Sequence, residues 1–251
     1  MGKIKVGVQL FSLRDYLKKP EDVPGVFQKV KSMGAEVVQI SHMCDIDSVE
    51  LGKISKDNEL PICITHSSVE RIKNDLPRLA EEHLNFNCKN MGIGMMPGEY
   101  RGSNDGIKKF IELLNIVSEN LKPYGMTIAY HNHNFEFKKL GEKTIYDVMI
   151  EETQKEVQFI PDTFWIKVGG YDPNDYIKKL SGRINTLHLK DYSKIFGVPV
   201  FRAIGLGTLD FKDIMGEAEA ANVENAVIEL DLSPNPYKSI RKSLTYMKSI
   251  Y

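Results

Sequence analysis

Short apolar runs alternate with longer amphipathic segments along this chain, and that alternation restricts its possible folds more than any other feature. Apolar or β-branched runs recur at about residues 4–11, 36–41, 60–66, 89–95, 126–133, 157–162, 184–190 and 224–230. Between them the apolar positions change to helical spacing. Pro24, Val26, Phe27 and Val30 mark one such segment, Ile107, Phe110, Ile111, Leu114 and Val117 another, and Ile240, Leu244 and Met247 the last. Strands that each lead into a helix pair in parallel through crossover connections. Helix punctuation agrees: Ser103-Asn104-Asp105 predicts a start, Pro123 with Gly125 a stop, and Asp172-Pro173-Asn174 another start, ended by Ser181-Gly182.

Eight strand–helix units without a linker predict one domain over residues 1–251, a single (β/α)8 TIM barrel of the α/β class. An open doubly wound sheet would ordinarily carry a glycine-rich phosphate turn after its first strand. Here Ser12-Leu13-Arg14-Asp15 follows instead.

Charge removes one class of partner. Lys and Arg total 33 against 34 Asp and Glu, so no basic excess marks a nucleic-acid footprint. No segment approaches the roughly 20 apolar residues of a membrane span. Cys44, Cys63 and Cys88 are far apart and unpaired by spacing, which predicts a reducing compartment rather than a disulfide or thiolate-zinc scaffold. The opening MGKIKVGVQLF runs straight into a strand, so the expected location is cytoplasmic.

The ends of the later runs carry the chemistry. TIAYHNHNFEF supplies His131, His133 and Glu136; VQFIPDTFW supplies Asp162; INTLHLKDY supplies His188; NAVIELD supplies Glu229. In a barrel the C-terminal strand ends share one face, which makes these residues neighbours. Strand parity puts Ala129, His131 and His133 on one side, Thr186, His188 and Lys190 on one side, and Val227, Glu229 and Asp231 on one side. Glu136 has the opposite parity and faces inward only if the strand ends or bulges near Asn134. Imidazole with carboxylate suits one divalent ion, Mn²⁺, Zn²⁺, Co²⁺ or Mg²⁺. Each position alone has a plainer reading: Asp162 as a helix cap, Glu229 paired with a buried Arg, His42 as packing, His83 on a helix surface. Together, Asp162, His188 and Glu229 at three consecutive strand ends favour a common site.

GVQLFSLRD, GAEVVQIS, THSS, AYHNHNFEF, PDTFW, HLKDY, GLGTLDF and VIELD together resemble the xylose isomerase-like barrels, in particular their sugar phosphate isomerase/epimerase-like branch. Gln9 and Arg14 match positions common in that group. The resemblance implies a divalent metal held by Asp162, His188 and Glu229, with a fourth ligand from the fifth strand. Many members have Glu where this chain has His131, so Glu136 is the expected replacement, with His133 or His131 next. Gln39 also stands where many members have Glu, and Leu206 interrupts a loop that is commonly GEG. The nuclease branch needs further His and Asp ligands. Trp165 stands where it would place one His, which argues against DNA repair.

The expected activity is metal-dependent isomerisation or epimerisation of a ketose or keto-sugar through an enediolate. Glu136 and Glu229 would exchange protons on opposite substrate faces, while Gln9, His66, Trp165, Lys190 and Arg202 would bind the sugar. An alternative is a lyase or dehydratase acting on a keto-inositol or 3-keto-glycoside, in which His131 or His133 protonates the departing oxygen. A third is a barrel that binds a sugar without turning it over. The expected partner is a small sugar, with no nucleic acid or membrane, and a homo-oligomer remains open.

Overall fold

A computed structural model describes residues 2–251. The barrel strands are β1 (Lys5–Gln9), β2 (Val38–Ile40), β3 (Ile62–His66), β4 (Asn90–Ile93), β5 (Thr127–His131), β6 (Gln158–Ile160), β7 (Thr186–Leu189) and β8 (Asn225–Ile228). All eight fall within the apolar runs and all pair in parallel, in the order β6-β5-β4-β3-β2-β1-β8-β7. The remaining seam closes through a parallel bridge between Asp162 and His188, where the His188 N–H donates to the Pro161 carbonyl at 3.0 Å. The sheet is thus a nearly closed TIM barrel, joined at two residues of the expected site.

The interior is built in layers. Val37, Cys63, Ile64, Ala129, Ile160 and Val227 form an apolar plug inside the barrel. Ala129, Ile160 and Val227 lie two positions before His131, Asp162 and Glu229, so the period of two that buries the plug also turns those polar groups toward the axis. At the opposite end Asn90, Thr127, Asn185, Thr186 and Asn225 satisfy one another in a polar layer. Outside, helices bury the expected stripes. The helix Asn104–Leu121 is capped by Ser103, which accepts from the Gly106 N–H, and buries Ile107, Phe110, Ile111, Leu114 and Val117. The C-terminal helix Pro236–Ile250 buries Ile240, Leu244 and Met247.

Two elements have no counterpart in the strand–helix alternation, the first a short antiparallel pair of Lys139–Leu140 with Lys143–Thr144. After β7, Asp191–Ile195 and Val198–Arg202 pair antiparallel as a hairpin turning at Phe196-Gly197. Among the described residues no helix is long and apolar enough to cross a membrane. His83, expected on a surface, is instead buried at 1% exposure. Its ring contacts the Leu79 carbonyl at 2.6 Å and Thr65 Oγ1 of β3 at 2.7 Å, which fastens its helix to the sheet.

Candidate active site

Each inward strand end delivers one polar side chain to the C-terminal mouth. β5 ends on His131, the residue pair after β6 on Asp162, β7 contains His188, and Glu229 follows β8. One ligand atom from each of these four lies within 4.8 Å of all the others, and all four residues are buried. Octahedral or tetrahedral coordination at bond lengths near 2.1 Å spaces neighbouring donors roughly 3–4 Å apart, so this spacing suits one ion.

The hydrogen-bond directions sharpen that fit. His131 Nδ1 lies 3.0 Å from the Gly94 carbonyl, which can only accept, so Nδ1 carries the proton. His131 Nε2 then aims a lone pair at Asp162 Oδ2, 3.1 Å away. His188 Nε2 donates to Gln39 Oε1 at 2.6 Å, which leaves Nδ1 bare and 2.9 Å from Glu229 Oε2. His188 Nδ1 is buried without a hydrogen-bond partner, and Glu229 Oε2 faces it with only the Lys190 ammonium, 2.9 Å away, on its other side. Burial holds His131 below the ordinary imidazole range. Burial alone would raise Asp162, but the Lys190 charge beside it brings it well below the usual carboxylate range. With neutral imidazoles, acceptors face acceptors in a dry site, an arrangement that a cation between them would satisfy. The set fits a divalent metal, and Gln39 and Gly94 orient its imidazoles from behind.

Lys190 is the one cation already there. Its Nζ lies 3.1 Å from Asp162 Oδ2, 2.9 Å from Glu229 Oε2 and 2.9 Å from Asp231 Oδ1. Burial opposes its charge, but the three carboxylates outweigh burial and raise its pKa. Asp162 has a double role: Oδ2 joins the cluster while Oδ1 accepts from the Trp165 N–H at 3.0 Å as the cap of a helical turn. The cap reading and the site reading are both met by one carboxylate.

A cavity of about 920 Å³ opens above this floor. His66, His131, His133, Trp165, Lys190, Glu229 and Asp231 line it, along with His42 and Arg14. His66 Nε2, His133 Nδ1 and Trp165 Nε1 are buried without partners. Burial pushes His66 well below the ordinary range and His133 down to about 2, so both rings stay neutral.

Three expected site residues lie elsewhere. Glu136 is not one of the four clustered groups. The chain leaves β5 at His131 and makes a tight helical turn over Phe135–Phe137, which carries Glu136 away from the axis. There its carboxylate accepts from the Tyr130 hydroxyl and, at 2.9 Å, from the His133 N–H. It therefore braces the HNHN segment, while His131 is the residue of that segment that joins Asp162, His188 and Glu229 in the cluster. Gln9 is buried beside His66 rather than on the cavity wall: Oε1 accepts from the Phe11 N–H at 3.1 Å, and Nε2 lies 3.5 Å from His66 Nδ1. Arg202 sits on the hairpin with Nε donating to Ser193 Oγ at 2.9 Å, outside the cavity lining.

Other contributors had not been singled out. Asn132 Oδ1 accepts from the Asp162 N–H at 3.0 Å and ties the end of β5 to that of β6. Buried Asp191 accepts from the N–H groups of Tyr192, Gly205, Gly207 and Leu209. This explains GLGTLDF: a side chain at Gly207 would meet Asp191 Oδ1 at 2.2 Å, and Gly205 has φ +83°. The loop is wrapped around the carboxylate of the HLKD string. Repeated Gly at 205 and 207 after an Asp was the available signal.

Residues 27–250 match the family model of the xylose isomerase-like TIM barrel. An inosose dehydratase of Geobacillus thermodenitrificans (strain NG80-2) is 28% identical over 158 residues, a match covering 55% of this chain and 52%, about half, of that protein. A sugar phosphate isomerase/epimerase of Parabacteroides distasonis ATCC 8503 superposes with TM-score 0.80 at 24% identity, covering 98% of each chain. A xylose isomerase-like TIM barrel protein of Mycobacterium smegmatis, in complex with magnesium, superposes with TM-score 0.73 at 14% identity, covering 100% of this chain and 98% of that one.

Proposed function

Because the chain belongs to the xylose isomerase-like TIM barrel family, we propose that it is a divalent-metal-dependent isomerase or epimerase of a ketose or keto-sugar. The observation that carries this reading is the buried quartet, in which two imidazoles turn lone pairs toward two carboxylates. His131, Asp162, His188 and Glu229 would hold the ion. When bound, a divalent cation there supplies Lewis-acid polarisation of adjacent sugar oxygens and stabilises the enediolate left after proton loss.

The protein's own groups do the remaining work. Asp231 shares a face with Glu229, lines the cavity and keeps its carboxylate partly open, at 21% exposure. It replaces Glu136 in the acid–base pair with Glu229 and takes the proton from the carbon beside the carbonyl. Lys190, pinned by three carboxylates, holds Asp162, Glu229 and Asp231 in fixed positions beneath the substrate. His66 and His133 line the cavity beside this floor with neutral rings. The buried floor keeps bulk water away from the carbanion.

A second reading is elimination of water from a keto-inositol or 3-keto-glycoside. The unpartnered His133 Nδ1 beside His131 favours it, as does the likeness to an inosose dehydratase. Both readings share the first proton transfer. Keto-sugars and inososes incubated with the Mn²⁺-loaded protein in deuterium oxide should take up deuterium beside the carbonyl, as read by NMR. Retention of all oxygens indicates isomerisation, and loss of water indicates elimination. Full turnover by Glu229→Gln, or no exchange with any keto-sugar or inosose, would sink the proposal.

A further inference from the structure

The cavity is larger than its polar floor requires. Its volume of about 920 Å³ lies in the upper part of the roughly 300–1,000 Å³ range of pockets that enclose drug-sized ligands. A single sugar ring over the quartet leaves most of it unfilled. Above the floor the wall changes character. Phe11 follows β1, Met95 follows β4, Trp165 follows β6 and Leu232 follows β8, so four separate strand ends build an apolar collar around the mouth. Met95 and Leu232 are 44% and 72% exposed, respectively. An apolar wall beside a few convergent polar groups is the usual make-up of a ligand pocket.

The collar is also partly rigid. The Trp165 ring is set at near right angles to both Phe164 and Phe201, with centroids 5.0 and 5.7 Å away, and it meets His133 at 5.4 Å. Its buried Nε1–H has no partner within the protein. The face of Phe11 is backed by the Arg14 guanidinium at 4.2 Å. Cations facing the cavity are committed: Arg14 donates to the carbonyls of Phe11 and Asp231, and Lys190 is held by Asp162, Glu229 and Asp231.

We infer that the substrate is amphipathic: a keto-sugar ring bearing an apolar aromatic or aliphatic substituent, the ring on the floor and the substituent within the Phe11–Met95–Trp165–Leu232 collar. This rests on the keto-sugar reading above and adds the second half of the molecule. The collar is continuous with the floor in one cavity, which is why a substituent of the same ligand, rather than a separate partner, is its occupant.

Trp165 is the chain's single tryptophan, so its fluorescence reports this cavity directly. The Mn²⁺-loaded protein is titrated with methyl β-glucoside, phenyl β-glucoside and glucose 6-phosphate. Phenyl glucoside should bind at least tenfold more tightly than methyl glucoside, and glucose 6-phosphate no more tightly than the methyl compound. Leu232→Gln and Met95→Gln, both at exposed positions, should bring the phenyl-to-methyl ratio to within about twofold, with the Mn²⁺ dissociation constant unchanged. Equal affinities, no binding of either glucoside, or preference for the phosphate would overturn the inference. So would a dimer that Leu232→Gln dissociates in sedimentation without altering glucoside binding, since a second copy would then be the collar's occupant. Failure to bind Mn²⁺ counts against the metal-dependent function instead, and the phenyl-to-methyl ratio still reads the collar separately.

Discussion

Replacing Glu136 by Gln separates a metal ligand from a buried brace. Burial pushes the Glu136 carboxyl up to about 7 from an ordinary 4.5, against the hydrogen bonds from Tyr130 and the His133 backbone. Below pH 4.5 the folded and unfolded chains both hold this proton, and the group has no net effect on stability. As pH rises toward 7 the unfolded chain releases the proton while the folded chain keeps it, so stability falls and then levels off. At about 1.4 kcal/mol per pH unit, that gap amounts to a penalty on the order of 3 kcal/mol above pH 7. Gln occupies the same volume, accepts from the His133 N–H and donates to the Tyr130 oxygen, and carries no charge to bury. Urea denaturation with chelator present should show Glu136→Gln and the wild type within about 0.5 kcal/mol at pH 4. At pH 8 the variant should be more stable by about 1–3 kcal/mol, with Mn²⁺ affinity unchanged. A variant that is less stable at pH 8 than at pH 4 relative to wild type, or that loses Mn²⁺, would refute the reasoning.

Asp191→Ala strands the four backbone N–H groups gathered by its carboxylate, and should cost about 3 kcal/mol, read as a lowered urea midpoint. A midpoint within error of wild type would show that water replaces the carboxylate. Lys190→Met removes the cation that faces Asp162 and Glu229. It should bind Mn²⁺ roughly tenfold more tightly by calorimetry while losing deuterium exchange; weaker Mn²⁺ binding would contradict the assigned electrostatics.

The barrel was legible because its eight strands are buried on both faces and therefore read as unbroken apolar runs. Period-two parity then placed His131, His188, Lys190, Glu229 and Asp231 on the axis side; His131, Lys190, Glu229 and Asp231 line the cavity, and His188 lies buried in the cluster with His131 and Glu229. Parity fails where a strand ends. Glu136 was expected to restore a carboxylate, but the turn at Phe135–Phe137 directs it to Tyr130, and a periodic reading cannot follow a turn. The burial of His83 depends on Thr65, a partner from another strand that helix spacing does not reveal. Gln39 and Asn132 act through single long-range hydrogen bonds to His188 and Asp162. Such pairings are set by barrel closure and leave no local mark. The hairpin after β7 did leave one, in the alternating DYSKIFGVPVFR, but the expectation of a helix after every strand concealed it.

The metal quartet is tested most directly by titrating chelator-treated protein with Mn²⁺ and following free ion by electron paramagnetic resonance. The wild type should bind one ion per chain. His131→Ala and Asp162→Asn should each abolish that binding, and Glu136→Gln should keep it. No stoichiometric binding by the wild type, or binding that survives His131→Ala and is lost in Glu136→Gln, would contradict the account.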